Sequence, residues 1–119
     1  MKKTVVIGAS TNLDRYSNLV IHRLRAKGYP VVAIGNRTGT IADVDIITEK
    51  ESMEDVHTVS LYLGAKRQPE YYDYVVSLNP ERVIFNPGTE NPEFYDILLK
   101  NNIKVDVACS LVLLASNQY

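Results

Sequence analysis

A chain of 119 residues with 45% hydrophobic and 23% charged residues has the size and balance of one globular domain, and leaves little room for a second. Its formal net charge of −1 lacks the basic excess of a general nucleic-acid binder, and its single cysteine, Cys109, excludes an intrachain disulfide. The apolar run after Met1-Lys2-Lys3 stops at Gly8, too short for a signal core, and no stretch approaches the roughly 18 apolar residues of a membrane helix, so the expected location is cytoplasmic.

Residues 4–7 are apolar and β-branched, as in a parallel strand buried on both faces. The small-residue loop Gly8-Ala9-Ser10-Thr11-Asn12 follows. A helix is expected from Ser17 or Asn18 to Lys27. Ser17 is its N-cap, Leu19, Val20, Arg23 and Leu24 lie at helical spacing, and Gly28 stands just past its end. Residues 30–34 form a second strand. Residues 35–54 are irregular, with Ile41 and the run Val44-Asp45-Ile46-Ile47 suggesting at most a minor strand. Residues 58–63 form the third main strand, and Gly64-Ala65-Lys66 the loop after it. Pro69 suits the first turn of a helix whose apolar face is Tyr71, Val75 and Leu78. Residues 82–85 form the fourth strand, closed by Asn86-Pro87-Gly88. Asn91 then caps a helix with Pro92 at its first position and Phe94, Ile97 and Leu98 facing inward. Residues 103–107 form a fifth strand, and a short helix covers 110–116.

Strands alternating with crossover helices imply a parallel sheet with right-handed connections. The expected fold is one α/β domain over residues 1–119. It is Rossmann-like and doubly wound, with a mainly parallel five-stranded sheet in the order 3-2-1-4-5 and helices on both faces. Such sheets bind ligands outside the carboxyl ends of their strands, at the switch point beside the first strand. The loops that matter are therefore 8–17, 35–40, 62–66 and 86–90.

The first loop is the most informative. Gly8, Ala9 and Ser10 keep it narrow enough for backbone amides to approach a phosphate, next to a helix N-terminus. Ser10, Thr11 and Ser17 add hydroxyls. A full G-x-G-x-x-G pattern is missing, and the same loop would serve equally as a tight turn without a ligand. If it is a phosphate loop, Gly8→Val should abolish binding and leave the fold largely intact.

The second strand ends Ile34-Gly35-Asn36-Arg37. An NAD site places an acidic residue there for the ribose hydroxyls, and here there is none. Asn36 and Arg37 offer donors instead. This favours a ligand with an extra phosphate, coenzyme A or NADP, although a solvated loop arginine would look the same. Arg15 is a second cation near the expected phosphates, unless Asp14 pairs with it. Lys66 and Arg67 follow the third strand and face the same rim, although a solvated helix start explains them as well, and Tyr62, in that strand, is a further candidate. Asn86, Pro87 and Gly88 have ordinary turn chemistry, and Asn86 is in addition a candidate partner for a ligand amide.

No catalytic set emerges. His22 and His57 are far apart and lie away from the strand ends. Cys109 has no neighbouring ligand residue, so no metal site is expected, and an inert, mostly buried thiol is the simplest reading.

The sequence resembles the small stand-alone CoA-binding proteins, related to the N-terminal CoA-binding domain of succinyl-CoA and acyl-CoA synthetases. Val5-Val6-Ile7-Gly8-Ala9-Ser10 is similar to that family's opening strand and loop, and Asp14-Arg15-Tyr16-Ser17 to its Arg-x-Ser segment. Gly28-Tyr29-Pro30-Val31 resembles its entry to the second strand. Asn86-Pro87-Gly88 and residues 106–109 stand in the places of its Gln-x-Gly turn and Asp-Arg-Cys segment. The chain departs from the pattern at Gly35-Asn36, where the family has Asn-Pro. It also departs at Ile84 and Phe85, where a Trp precedes the Gln, and at Ala108, where an arginine precedes the cysteine.

The resemblance implies binding of coenzyme A or an acyl-CoA without turnover, since the synthetases need further domains for their chemistry. The alternatives are an NADP-dependent oxidoreductase or CoA-using enzyme, and an interaction protein without a ligand. The expected partner is a small nucleotide, not nucleic acid or membrane. A homo-oligomer or a partner enzyme stays open.

Overall fold

The computed structural model describes residues 2–119. It is an α/β fold built on one seven-stranded sheet, with the strands β1 (Lys3–Ile7), β2 (Val31–Ile34), β3 (Gly39–Ile41), β4 (Val44–Ile47), β5 (Val56–Leu61), β6 (Arg82–Phe85) and β7 (Lys104–Val107). Their order is β3-β4-β2-β1-β5-β6-β7, and only the β3–β4 pair is antiparallel. Helices α1 (Tyr16–Ala26), α2 (Tyr72–Leu78), α3 (Pro92–Lys100) and α4 (Ser110–Ala115) cover the two faces. None of them is long and apolar enough to cross a membrane.

The Rossmann-like class is as expected, but the sheet has seven strands rather than five. The strand expected third lies beside β1, not beside β2, whose outer side β4 occupies. With β4 counted, the six parallel strands run 3-2-1-4-5-6. β4 coincides with the run read as a minor strand, but the β3–β4 hairpin left no turn signal because its turn uses Ala42 at φ 55°, a conformation usually marked by Gly or Asn. β3 is also only three residues long.

Alternation along β1 divides the core. Val5 and Ile7 pack with Val59, Phe85 and the buried residues of α2 and α3, including Val75, Phe94 and Leu98. Val6 packs on the other face with Ala33, Ile84 and the buried residues of α1 and α4, including Ile21, Leu24 and Leu114. Phe85 is fully buried and meets Phe94 edge-on at 5.6 Å and Tyr95 at 4.6 Å between centroids.

Two helix starts differ from expectation. α1 begins at Tyr16 with Arg15 as N-cap, so Ser17 lies inside the first turn, buried, and caps nothing. Leu19, expected on the apolar face, is exposed, and Ile21 is buried in its stead. The segment from Pro69 opens as a tight 3₁₀ turn before α2, although Tyr71, Val75 and Leu78 are buried as the spacing predicts. Asn91 does cap α3, its side chain accepting from the Phe94 amide.

Two buried carboxamides fix the loops at the carboxyl ends of β5 and β6. Gln68, fully buried, donates to the carbonyls of Leu63 (2.9 Å) and Thr89 (2.8 Å) and accepts from Asn91 Nδ2 (2.9 Å). Asn86 donates to Ser60 Oγ (2.9 Å) and the Leu61 carbonyl (2.8 Å) and accepts from the Ser110 amide (2.8 Å). Every polar atom of these two side chains is thus engaged within the protein.

Gln68→Leu keeps the approximate volume but strands the Leu63 and Thr89 carbonyls and takes one of the two acceptors of Asn91 Nδ2, which keeps the Tyr72 hydroxyl. A buried group left unsatisfied costs about 1–3 kcal/mol, so a loss of about 3 kcal/mol is expected in urea unfolding. A loss below ~1 kcal/mol would mean that Gln68 does not hold the two loops together.

At the opposite ends of the strands, His57 lies 3.0 Å from Glu81 and 2.7 Å from Thr58 Oγ1. Burial lowers its pKa below the ordinary 6.5, with Arg82 and Lys2 adding to the effect. The mostly exposed Glu81, which pulls the other way, does not overcome them. The folded protein therefore binds this proton less readily than the unfolded chain. The resulting stability is present above pH 6.5 and is lost on acidification through the lowered folded-state value. His57→Gln should flatten the fall in melting temperature between about pH 7 and 5, and an unchanged slope would assign that fall to the carboxylates.

Candidate functional site

The chain leaves β1, fills the β2 side of the sheet, and returns to place β5 on the other side of β1. The carboxyl ends of β1 and β5 therefore border a crevice. A cavity of about 750 Å³ lies there, within the usual range for a small-molecule site. It is lined from the four loops expected to matter, together with Arg67 and Tyr71.

The first loop turns on Gly8, whose φ of +98° is left-handed. A Cβ at this position would come within 3.0 Å of the backbone of Tyr62, just past β5. Gly8→Val would therefore strain the junction of two central strands. The expectation that it would spare the fold is revised, and this glycine serves strand packing before it serves any ligand.

The amides of Gly8 and Ala9 both donate to the Ile34 carbonyl, at 2.9 Å each. They are not available to a phosphate. The amides of Ser10 and Thr11, and of Tyr16 and Ser17 at the start of α1, have no partner among the described residues. Anion-ready donors thus lie two residues further along the loop than the glycine suggested. Asn18, buried, holds the loop by donating to the Ser10 carbonyl at 3.0 Å.

Of the candidate residues, Gly8, Ala9, Ser10, Arg15, Ser17, Asn36, Arg37, Tyr62, Pro87 and Gly88 line the cavity. Lys66 and Asn86 do not. Lys66 sits in an exposed turn at Ala65–Arg67, and Asn86 is buried behind the wall with its amide fully occupied.

Sequence reading set Arg67 beside Lys66 on the rim, with a solvated helix start as the other account, and did not carry it into the candidate site. It lines the cavity and donates to Asn36 Oδ1 at 2.9 Å, joining the loops after β5 and β2. Its position, six residues past the end of β5, was the available signal. Tyr71 was read as core. It is largely buried but shows an edge to the cavity, with the Lys50 ammonium 4.9 Å from its ring on another side.

Three arginines, Arg15, Arg37 and Arg67, therefore face one carboxylate, Asp14, around the cavity. Arg15 is not paired with Asp14, and none of the three lies within salt-bridge distance of a carboxylate among the described residues. In a chain of net charge −1, this is a local positive field.

Tyr62 forms part of the floor. Its hydroxyl is buried without a hydrogen bond, beside Ser60 and Ser110, which are bonded to each other at 2.9 Å. Burial, reinforced by nearby Cys109, raises its pKa far above the usual phenol value, so it stays protonated. Cys109 is half-buried at the start of α4 and does not line the cavity. No group of three or more His, Cys, Asp or Glu side chains suited to a metal occurs among the described residues.

Among solved structures, a protein described only as uncharacterized is 40% identical, covers 100% of this chain and 98% of its own, and superposes with a TM-score of 0.97. A Thermus thermophilus protein covers 99% of this chain and 90% of its own at 21% identity and a TM-score of 0.87. A Bacillus cereus oxidoreductase shares the fold over 89% of this chain but only 34% of its own, at 14% identity and a TM-score of 0.61. No curated protein sequence matches the chain. A family model described as a CoA binding domain matches residues 2–115. That match runs from the first strand through the last helix, and the chain belongs to the CoA-binding domain family.

Proposed function

We propose that this chain is a binding module for coenzyme A or an acyl-CoA, held in the crevice between β1 and β5. The observation that carries this reading is the cavity itself, where three arginines without carboxylate partners meet four unpartnered backbone amides at the switch point. A ligand that satisfies such a set must carry several phosphate charges on a compact frame. Coenzyme A does so with a pyrophosphate and a 3′-phosphate.

In this reading the pyrophosphate lies against the amides of Ser10, Thr11, Tyr16 and Ser17, with the dipole of α1 behind it. Arg37, beyond the end of β2, and Arg67, beyond the end of β5, meet the 3′-phosphate, and Asn36 keeps Arg67 aimed. Arg15 closes the loop side. Tyr62 and Gly88 give the remaining walls. The lining groups hold charge and shape. They include no paired acid and base, which favours carriage or sensing of the ligand over its conversion.

Isothermal titration with CoA and with dephospho-CoA tests the reading. Arg37→Ala is expected to weaken CoA binding about tenfold or more and to leave dephospho-CoA nearly unchanged, because a charge-assisted hydrogen bond to the 3′-phosphate is lost. Equal losses would move Arg37 to the pyrophosphate. No CoA binding by the wild-type chain would sink the proposal, and tight NADP binding in its place would favour a dinucleotide site. Cys109→Ala should leave CoA affinity within about two- or threefold, whereas alkylation of Cys109 blocked by CoA would place the thiol in the site.

A further inference from the structure

We infer that the open edge of the sheet at β7 pairs with the same edge of a second copy of this chain, joining two sheets into one across a two-fold axis. β7 is the last strand of the sheet and pairs only with β6. The Lys104 amide donates to the Glu81 carbonyl at 3.1 Å and the Ala108 amide to the Phe85 carbonyl at 3.2 Å. In a parallel ladder every second residue faces its neighbour, so Lys104, Asp106 and Ala108 face β6. Val105 and Val107 turn their N–H and C=O groups outward.

An edge of this kind is a template for another strand unless something blunts it. The opposite edge, β3, is blunted by its length of three residues and its opening glycine. At β7 the flanking surface is apolar instead. Val107 is 57% exposed, and Leu99 is 58% exposed on α3, the helix that packs against β7.

The occupant is specified by charge. Lys104 and Asp106 project from one face of β7, with Nζ and Oδ1 3.8 Å apart. An antiparallel pairing with Val105 on the two-fold axis sets Lys104 of each copy opposite Asp106 of the other. The outward groups of Val105 bond reciprocally, and the Val107 amide of each copy meets the Ile103 carbonyl of the other, whose own amide is held by the Leu98 carbonyl. Moving the axis to Asp106 would set the two Asp106 side chains directly against each other, which is unfavourable for like charges. The Lys-Val-Asp pattern is therefore complementary to itself in the antiparallel register centred on Val105. Two strands, β5 and β6, separate β7 from β1, so the pairing does not cover the crevice.

Sedimentation equilibrium of the full chain tests this, with Lys104→Glu as the deciding variant. The Lys104 side chain is 69% exposed, so its replacement leaves the fold undisturbed but puts an acid opposite Asp106 of the other copy. The wild-type chain is expected to be dimeric, and Lys104→Glu to weaken the dimer about tenfold at low salt, with added salt narrowing the difference. Val105→Pro removes an outward N–H without touching the ladder to β6, and a folded variant is expected to be monomeric. A monomeric wild-type chain, or a dimer as tight with Lys104→Glu as without it, would overturn the proposal.

Discussion

The carbonyl of Ile34 sets the position of the first loop. It accepts the amides of both Gly8 and Ala9, and this is feasible because Gly8 adopts a left-handed conformation at the end of β1. The loop is thereby bent over the end of β2. Gly35 lacks a side chain for the same reason, since a Cβ there would run into the Ala9 carbonyl. Once the loop is pinned in this way, its next amides turn toward the crevice, and α1 starts with its N-terminus at the cavity wall. The row of open amides is a consequence of how two parallel strands end side by side.

The other side of the crevice is built on different chemistry. Gln68 and Asn86 are buried amide side chains, and each ties a strand end to a segment that the sheet alone does not join. Buried amides cost stability unless every donor and acceptor is matched, and here each is matched. The wall is therefore fixed by hydrogen bonds, whereas the cationic groups in front of it belong to exposed loops. Such a division suits a site that must keep its shape while its charges adapt to a ligand.

The long elements were legible in the sequence because each carries a period or a stop. β1 and β6 are mainly apolar runs closed by turn residues, β5 is rich in β-branched residues, and α3 has both its cap and its proline. The β3–β4 hairpin was not, since an alanine takes the left-handed turn position and the apolar pattern there is too short to read. Missing β4 displaced the neighbouring strand in the expected order. In the site, the loops were found from topology, while individual contacts were not. Asn86 looked available for a ligand because a sequence does not reveal that Ser60, Leu61 and Ser110 converge on it. Arg67 looked like a solvated helix start because its contact with Asn36 spans 31 positions.

If the crevice holds phosphates, as proposed above, the unequal restraint of the three arginines sets a threshold for selectivity. Arg67 is already steadied by Asn36, whereas Arg15 and Arg37 are exposed and have no side-chain partner among the described residues. Arresting a free arginine costs rotamer entropy, and the cost is the same whether it meets a full or a partial charge. A ligand with a single phosphate can exploit the steadied arginine but gains little by stilling the others. One with several phosphates recovers the cost at each. The cavity would then rank anions by how many charged groups they present together, with a steep step between singly and multiply phosphorylated molecules, even though each contact taken alone is unselective.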